Sequence, residues 1–314
     1  MSEDLGRHTG SGGEFGDPLS QIEAWLQEMA WLQEMGARVG RSSEGDLDMV
    51  VVKSTGQTLW TETYTKQGEV HVWIDEEGTT IDEEGTEVAV FLPAVAAWKV
   101  NSKAGEALAH LLRLNALTGA KFALSGEPHA KEYMFGILAK AARETLDKGD
   151  LEWSLKGVLD LAEALFSEDK EQVGDLSWHI DSVSRFDDPL SQIETWLKEM
   201  SFPVGRDPEG KLVVDSEHGD VHIRIDDESA HVALALPMGT VKNKPKKHWS
   251  LFADFLRLSS VTGAKFTLVG EPDDKEWAVG IVARTARDTL DRGDLEWSLQ
   301  SVLKLAELSS GLFR

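Results

Sequence analysis

The sequence predicts an α+β protein made of two tandem domains. Each has the order α-β-β-β-α-β-β-α, with an antiparallel sheet and packed helices. Three observations lead there. LRLNALTGAKF (112–122) recurs as LRLSSVTGAKF (256–266), and GDLEWSL occurs identically at 149–155 and 293–299. An amphipathic segment is repeated too, DPLSQIEAWLQEM at 17–29 and DPLSQIETWLKEM at 188–200. Between these strings lie short runs rich in β-branched and aromatic residues, bounded by glycine and acidic turns, and strands joined by short connections favour antiparallel pairing. A chain of 314 residues has room for two domains of the usual size. The boundaries read as a flexible tail over 1–16, a first domain over 17–165, a linker over 166–187 and a second domain over 188–314.

The N-terminal tail is polar and glycine-rich, and its composition cannot offset the entropy of ordering. Asp17 suits an N-cap and Pro18 the first helical position. Leu19, Ile22, Leu26 and Met29 then share a helical face, matched by Leu190, Ile193, Leu197 and Met200. In the first copy WLQEM (25–29) repeats at once as WLQEM (31–35). Six extra residues rotate the downstream turn of helix by roughly 120° off register, so Trp31, Leu32 and Met35 either widen the buried face or stay partly exposed. IDEEGT (74–79) likewise recurs at 81–86 and lengthens a hairpin loop at little entropic cost. Three strands are expected at 47–53, 69–74 and 87–92, and at 211–215, 220–225 and 230–236 in the second copy. The segment 54–67, with Trp60 and Tyr64, has no counterpart there; its threonines favour an extended hairpin. A second helix spans about 103–117, with Gly119 and Gly263 suiting its C′ position in the two copies. Strands at 120–125 and 131–140 (264–269 and 275–284) precede a third helix, for which Asp150 and Asp294 suit the cap.

Composition excludes several chemistries. The chain has no cysteine, so disulfides, thiol catalysis and cysteine-ligated metals are ruled out. Asp and Glu number 55 against 32 Lys and Arg, a net charge of −23 that repels phosphate backbones; no direct nucleic-acid partner is expected. The start lacks an apolar signal core, and no apolar run approaches a membrane span, so a cytoplasmic protein without membrane contact is expected.

The order of elements, with an apolar second helix running into LLRLNALTGAKFALSGE, resembles the type III secretion chaperone-like fold, and within it the YbjN group of bacterial proteins. The matching residues are Leu111, Leu112 and Asn115 at the helix end, Phe122 and Leu124 in the next strand, and Leu155 and Leu159 in the last helix. The second copy keeps Leu256, Phe266, Leu268, Leu299 and Leu303 but carries Ser259 in place of Asn115. The resemblance implies a non-enzymatic protein that binds a protein partner. Chaperones of this fold are small acidic dimers that pair through the second helix or a nearby strand. Two copies in one chain imply an intramolecular pseudo-dimer, with further homo-oligomers open.

No catalytic residue, cofactor site or metal site is expected. His71 and His222 hold equivalent outward strand positions with no second ligand at metal spacing. The acidic clusters at 75–77, 82–84 and 226–228 lack the spacing of a glycosidase pair or a calcium loop. No phosphate-binding glycine motif is present. The basic run Lys242–Lys247 reads as a solvated loop, with a contact to the acidic first copy as the alternative. Candidate domain-pairing or partner-binding residues are Leu108, Leu112, Phe252 and Leu256 on the second helices, with Trp31, Trp60, Trp73 and Trp249 as unmatched aromatics. Two functions compete: capture of a partner segment on apolar sheet and helix surfaces, or a self-contained regulatory or assembly protein without a client. An acidic-pair hydrolase is the remote third.

Overall fold

A computed structural model describes residues 18–34, 37–41, 47–50, 69–75, 87–126, 132–142, 145–166, 189–226, 231–271 and 273–312. The tail over 1–16, the segment 54–67 with Trp60, most of the IDEEGT repeat and all but the first residue of the expected linker lie outside them.

The first half opens with α1 (Pro18–Glu28) and a short α2 (Ala30–Glu34). It continues with β1 (Arg38–Arg41), β2 (Leu47–Val50), β3 (Glu69–Asp75) and β4 (Glu87–Trp98). Then come α3 (Gly105–Leu114), β5 (Lys121–Ser125), β6 (Tyr133–Ala142) and α4 (Lys148–Phe166). The second half repeats the series with α5 (Pro189–Glu199), β7 (Val204–Arg206), β8 (Leu212–Val214), β9 (Val221–Asp226) and β10 (His231–Lys242). It closes with α6 (Pro245–Ser259), β11 (Lys265–Val269), β12 (Glu276–Ala286) and α7 (Arg292–Ser309). The strands form two six-stranded sheets, ordered β1-β2-β3-β4-β6-β5 and β11-β12-β10-β9-β8-β7. Every pairing is antiparallel, as expected for an α+β chain of hairpins.

Four strands, not three, precede the middle helix of each half. The missed ones, β1 and β7, are only 4 and 3 residues long. Each contains a glycine and ends on an arginine, which hides any apolar alternation. The fourth strand also runs past its expected end. Pro93 and Pro237 cannot donate a ladder hydrogen bond, and the register shifts at each, between Pro93 and Val95 and between Pro237 and Gly239. The bulge absorbs the lost donor and pairing resumes beyond it.

The repeated WLQEM is absorbed by a break. Helix α1 stops before Met29 and α2 restarts at Ala30, so Met29 and Leu32 are both buried while Trp31 is half-buried. Leu32, not Leu26, takes the place Leu197 has in the second half. The carbonyl of Leu32 accepts the amide of Ala37 at 2.9 Å, and that of Leu197 accepts Phe202 at 3.0 Å. The insertion is thus the first WLQEM, and Leu26 within it, like Ile22 just before it, still reaches the core.

Two capping assignments change. Asp291, not Asp294, is the N-cap of α7. Its side chain accepts from the Asp294 amide at 2.9 Å, while Asp294 reaches back to the Asp291 amide at 3.2 Å. Asp147 and Asp150 exchange the same two bonds ahead of α4. This is a capping box with aspartate in the place usually held by glutamate. Nor do Gly119 and Gly263 form left-handed caps; neither has positive φ, and Asn115 and Ser260 end the helices. Each glycine is needed because a Cβ there would overlap the indole of Trp153 or Trp297. The two most repeated strings of the sequence, TGAKF and GDLEWSL, are therefore packing partners: the tryptophan of one lies on the glycine of the other.

A single apolar cluster runs through both halves, from Ile22 and Leu108 in the first to Phe252, Trp277 and Leu305 in the second.

Candidate functional site

The feature that concentrates polar groups in the interior is the seam where the two halves meet. Helix α3 packs against α6 and β11, and α6 packs against β5. At the helix starts, Gly105 lies so close to the Pro245 carbonyl that a Cβ would overlap it. Leu108 and Leu112 on α3 and Phe252 and Leu256 on α6 have no exposed surface at all. Arg113 of α3 stacks its guanidinium over the Trp277 ring of β12, 5.7 Å from the centroid.

Beyond the helix ends the contacts become reciprocal. The side chain of Lys121, on β5, donates to the carbonyls of Thr262 and Ala264. Lys265, on β11, donates to those of Thr118 and Ala120. Each lysine thus satisfies the turn that follows the opposite half's helix, where carbonyls lack intrahelical partners. Lys140 reaches the Val261 carbonyl at 3.5 Å and Arg284 the Leu117 carbonyl at 3.1 Å, one strand further along. Arg284 also contacts Nε2 of the buried His231 at 2.7 Å. Lys121 and Lys265 are each only 1 % exposed. Such burial of an ammonium is tolerable only with hydrogen-bond acceptors around it. Burial first, then the nearby charges of Arg284 and Lys121, hold the Lys265 amine well below the usual lysine range.

Asn115 joins the halves at the centre. Fully buried, it accepts from the Phe122 amide at 2.7 Å and donates to the Phe266 carbonyl of the other half at 3.3 Å. Ser259, its counterpart, accepts from the Phe266 amide at 2.9 Å and donates to Phe255 at 2.8 Å, so it caps its own strand edge without crossing the seam.

A second reciprocal contact lies at the starts of α4 and α7. The Thr145 hydroxyl donates to Asp294 at 2.7 Å, and the Thr289 hydroxyl donates to Asp150. Gly149 packs against the Thr289 methyl and Gly293 against the Thr145 methyl, each too closely for a Cβ. Burial raises the Asp150 carboxyl to about 7, with Asp294 and Asp147 adding to the rise and the Thr289 hydroxyl opposing it. Burial likewise raises Asp294 to about 6, assisted by Asp291 and Asp147 and opposed by Thr145.

The predicted residues divide. Leu108, Leu112, Phe252 and Leu256 are all buried on α3 and α6, the two helices that pack on each other. Trp249 is half-buried on α6 and packs on the core. Trp31 is on α2, with Lys156 Nζ 5.5 Å above its ring, away from the seam. Trp73 lies on β3, and Trp60 is outside the described residues. The basic run does touch the first half: Lys246 Nζ stands 3.2 Å from Glu106, both well exposed. Sequence reasoning passed over Lys121, Lys265, Thr145 and Thr289. The available signal was a lysine kept identical in both copies of TGAKF, inside an otherwise apolar strand.

Among the described residues no group of three or more His, Asp or Glu side chains could hold a metal ion, and no helix is long and apolar enough to cross a membrane.

No family model matches the chain, and no curated protein matches it in sequence. Among solved structures it is similar to YbjN from E. coli, described as a candidate transcription regulator, at 14% identity over 41% of this chain and 95% of that one, with a TM-score of 0.31. The two backbones superpose too loosely for that likeness to bear on function.

Proposed function

We propose that this is a non-enzymatic, cytoplasmic regulatory protein that binds a protein partner, and that its tandem domains, 17–165 and 188–314, form an intramolecular pseudo-dimer. One observation carries the pairing: the contacts are isologous. Lys121 bonds to 262 and 264 while Lys265 bonds to 118 and 120; Thr145 bonds to Asp294 while Thr289 bonds to Asp150. From β4 onward, adding 144 to a residue number in the first half gives its counterpart in the second, so residue i meets j and the counterpart of i meets the counterpart of j. That is the signature of two-fold pairing between like surfaces.

The burial of Leu108, Leu112, Phe252 and Leu256 on two helices that pack on each other supports a pairing role for them. It also narrows the partner site, because helix surfaces consumed by pairing are closed to a client. A partner must use the outer sheet edges or the charged exterior. The same burial favours the second reading, domains that serve only each other.

Light scattering tests the pairing. The seam occupies the surfaces a homodimer of single domains would use, so a monomer of 34.6 kDa is expected; a species of twice that mass would count against it. Affinity purification from the native host at low and high salt, followed by mass spectrometry, tests the function. A dominant partner that survives high salt and binds the purified protein directly supports partner binding. None at either salt leaves the self-contained reading.

A further inference from the structure

We propose that the junction between the starts of α4 and α7 is a pH-sensitive latch: with Asp150 and Asp294 neutral the two domains hold shut, and with both ionised they repel each other across the seam. The inference rests on the intramolecular pairing argued above and adds a control to it.

The geometry makes the two carboxyls unusual. Each is buried, each belongs to the capping box of its own helix, and each takes a hydroxyl from the other domain. The domains are thus joined here through two groups that can carry like charge. The charged groups acting on them among the described residues are all carboxylates: Asp147 and Asp294 on Asp150, and Asp291 and Asp147 on Asp294. The described cations on neighbouring elements have other partners. Lys148 pairs with Glu28 of α1 at 2.9 Å, Arg292 lies 3.7 Å from Glu199 of α5, and Arg287 lies 3.5 Å from Asp288. On the strands, Lys140 of β6 and Arg284 of β12 reach carbonyls of the opposite half.

The sign comes from linkage. Both carboxyls sit above their ordinary value when the seam is closed, near 7 and 6 against 3.8. Their contribution to closure is therefore complete below about pH 4 and is lost as pH rises through about 7. Opening releases protons across that window and becomes easier by up to about tenfold per pH unit for each carboxyl involved.

The chain has no cysteine, so one introduced thiol reports opening. Asn115 is fully buried, and its side chain meets the Phe266 carbonyl across the seam. In Asn115→Cys the labelling rate, divided by that of free cysteine at the same pH, measures the open fraction. Val214→Cys, in the core of β8, measures global unfolding. The normalised rate at 115 should rise at least about tenfold between pH 5.5 and 7.5, and that at 214 should not follow it. Asp150→Asn with Asp294→Asn should flatten the response. Thr289→Val keeps both carboxyls and removes a bond that favours ionisation, so its midpoint should move to higher pH; this decides the matter should the double variant not fold. A flat profile at 115, an undiminished response in the double asparagine variant, or an unmoved midpoint in Thr289→Val overturns the latch. Labelling at the free-cysteine rate at every pH overturns the pairing itself.

Discussion

Replacing Asn115 separates two jobs that one side chain performs. Strand β5 pairs with β6 alone among the described strands, so the Phe122 amide on its other side depends on the Asn115 carbonyl at 2.7 Å. The Asn115 amide separately holds the Phe266 carbonyl at 3.3 Å across the seam. In Asn115→Ala a buried donor loses its acceptor, at about 1–3 kcal/mol, and the cross-seam bond goes as well, at about 0.5–1.5 kcal/mol. The two together should cost about 2–4 kcal/mol. Asn115→Ser places there the residue the second copy uses at Ser259, whose hydroxyl caps the Phe266 amide at 2.9 Å. It should keep the edge cap and lose only the crossing bond, about 0.5–1.5 kcal/mol. Urea unfolding followed by tryptophan fluorescence measures both, compared through their midpoints. Serine costing as much as alanine would show that the edge cap contributes nothing. Alanine costing less than about 1 kcal/mol would refute the whole accounting of orphaned groups.

Other perturbations give sharp outcomes. Gly119→Ala and Gly263→Ala must displace the Trp153 or Trp297 ring, and each should cost about 1–3 kcal/mol with a shifted tryptophan emission. Leu112→Ala and Leu256→Ala each leave a cavity in a fully buried site and should lower stability by about 2–5 kcal/mol in urea titrations. Lys246→Ala removes an ion pair between two exposed side chains and should change stability by no more than about 0.5 kcal/mol, a difference that fades at high salt. The latch adds a fifth outcome: wild-type pairing tightens toward pH 5 and Asp150→Asn with Asp294→Asn removes that tightening.

Much of the architecture was legible because it is carried by periodicity. The faces of α1, α3 and α4 are apolar at helical spacing, and the repeated strings anchor α5, α6, β11 and α7 to their first-half counterparts. What could not be read depends on approach in space. Nothing local to Gly119 tells that an indole thirty-four positions on will lie over it, so a helix-ending role was the natural assignment. Asp150 looked like a cap because an acidic residue near a helix start usually is one; the deciding fact, the bond that the Asp150 amide donates to the Asp147 side chain, lies in local geometry and not in composition. Strands β1 and β7 escaped because three or four residues cannot display a period. Lys121 illustrates the limit most clearly. A lysine in a strand reads as an outward residue, and only the arrival of two carbonyls from the other half makes its burial bearable.

On the pseudo-dimer reading, pairing two copies inside one chain has a consequence that a homodimer cannot reach. In a symmetric dimer every seam residue occurs twice, so a change favourable on one side is imposed on the other. Here the two sides differ: Asn115 faces Ser259, Lys140 corresponds to Arg284, and Leu117 to Val261. The Asn115/Ser259 difference falls where one crossing bond is made, whereas Lys140 and Arg284 each still donate to a main-chain carbonyl of the opposite half, at 261 and 117. A second asparagine in place of Ser259 would need the Phe122 carbonyl as its acceptor and would have to fit its longer side chain beside Asn115 in a site with no exposed surface. Three of the opposed pairs are identical in both halves: Lys121 with Lys265, Thr145 with Thr289, Asp150 with Asp294. On the pseudo-dimer reading these are the positions where both members are needed, two buried ammonium groups each terminating the opposite turn and two carboxyls each held by the opposite hydroxyl. Substituting one member of such a pair should therefore disturb the seam nearly as much as substituting both, whereas Ser259→Ala should be felt only at its own strand edge. A double-mutant cycle on Thr145→Val and Thr289→Val tests this: strong coupling is expected between the two, and strict additivity would mean that the two contacts act independently.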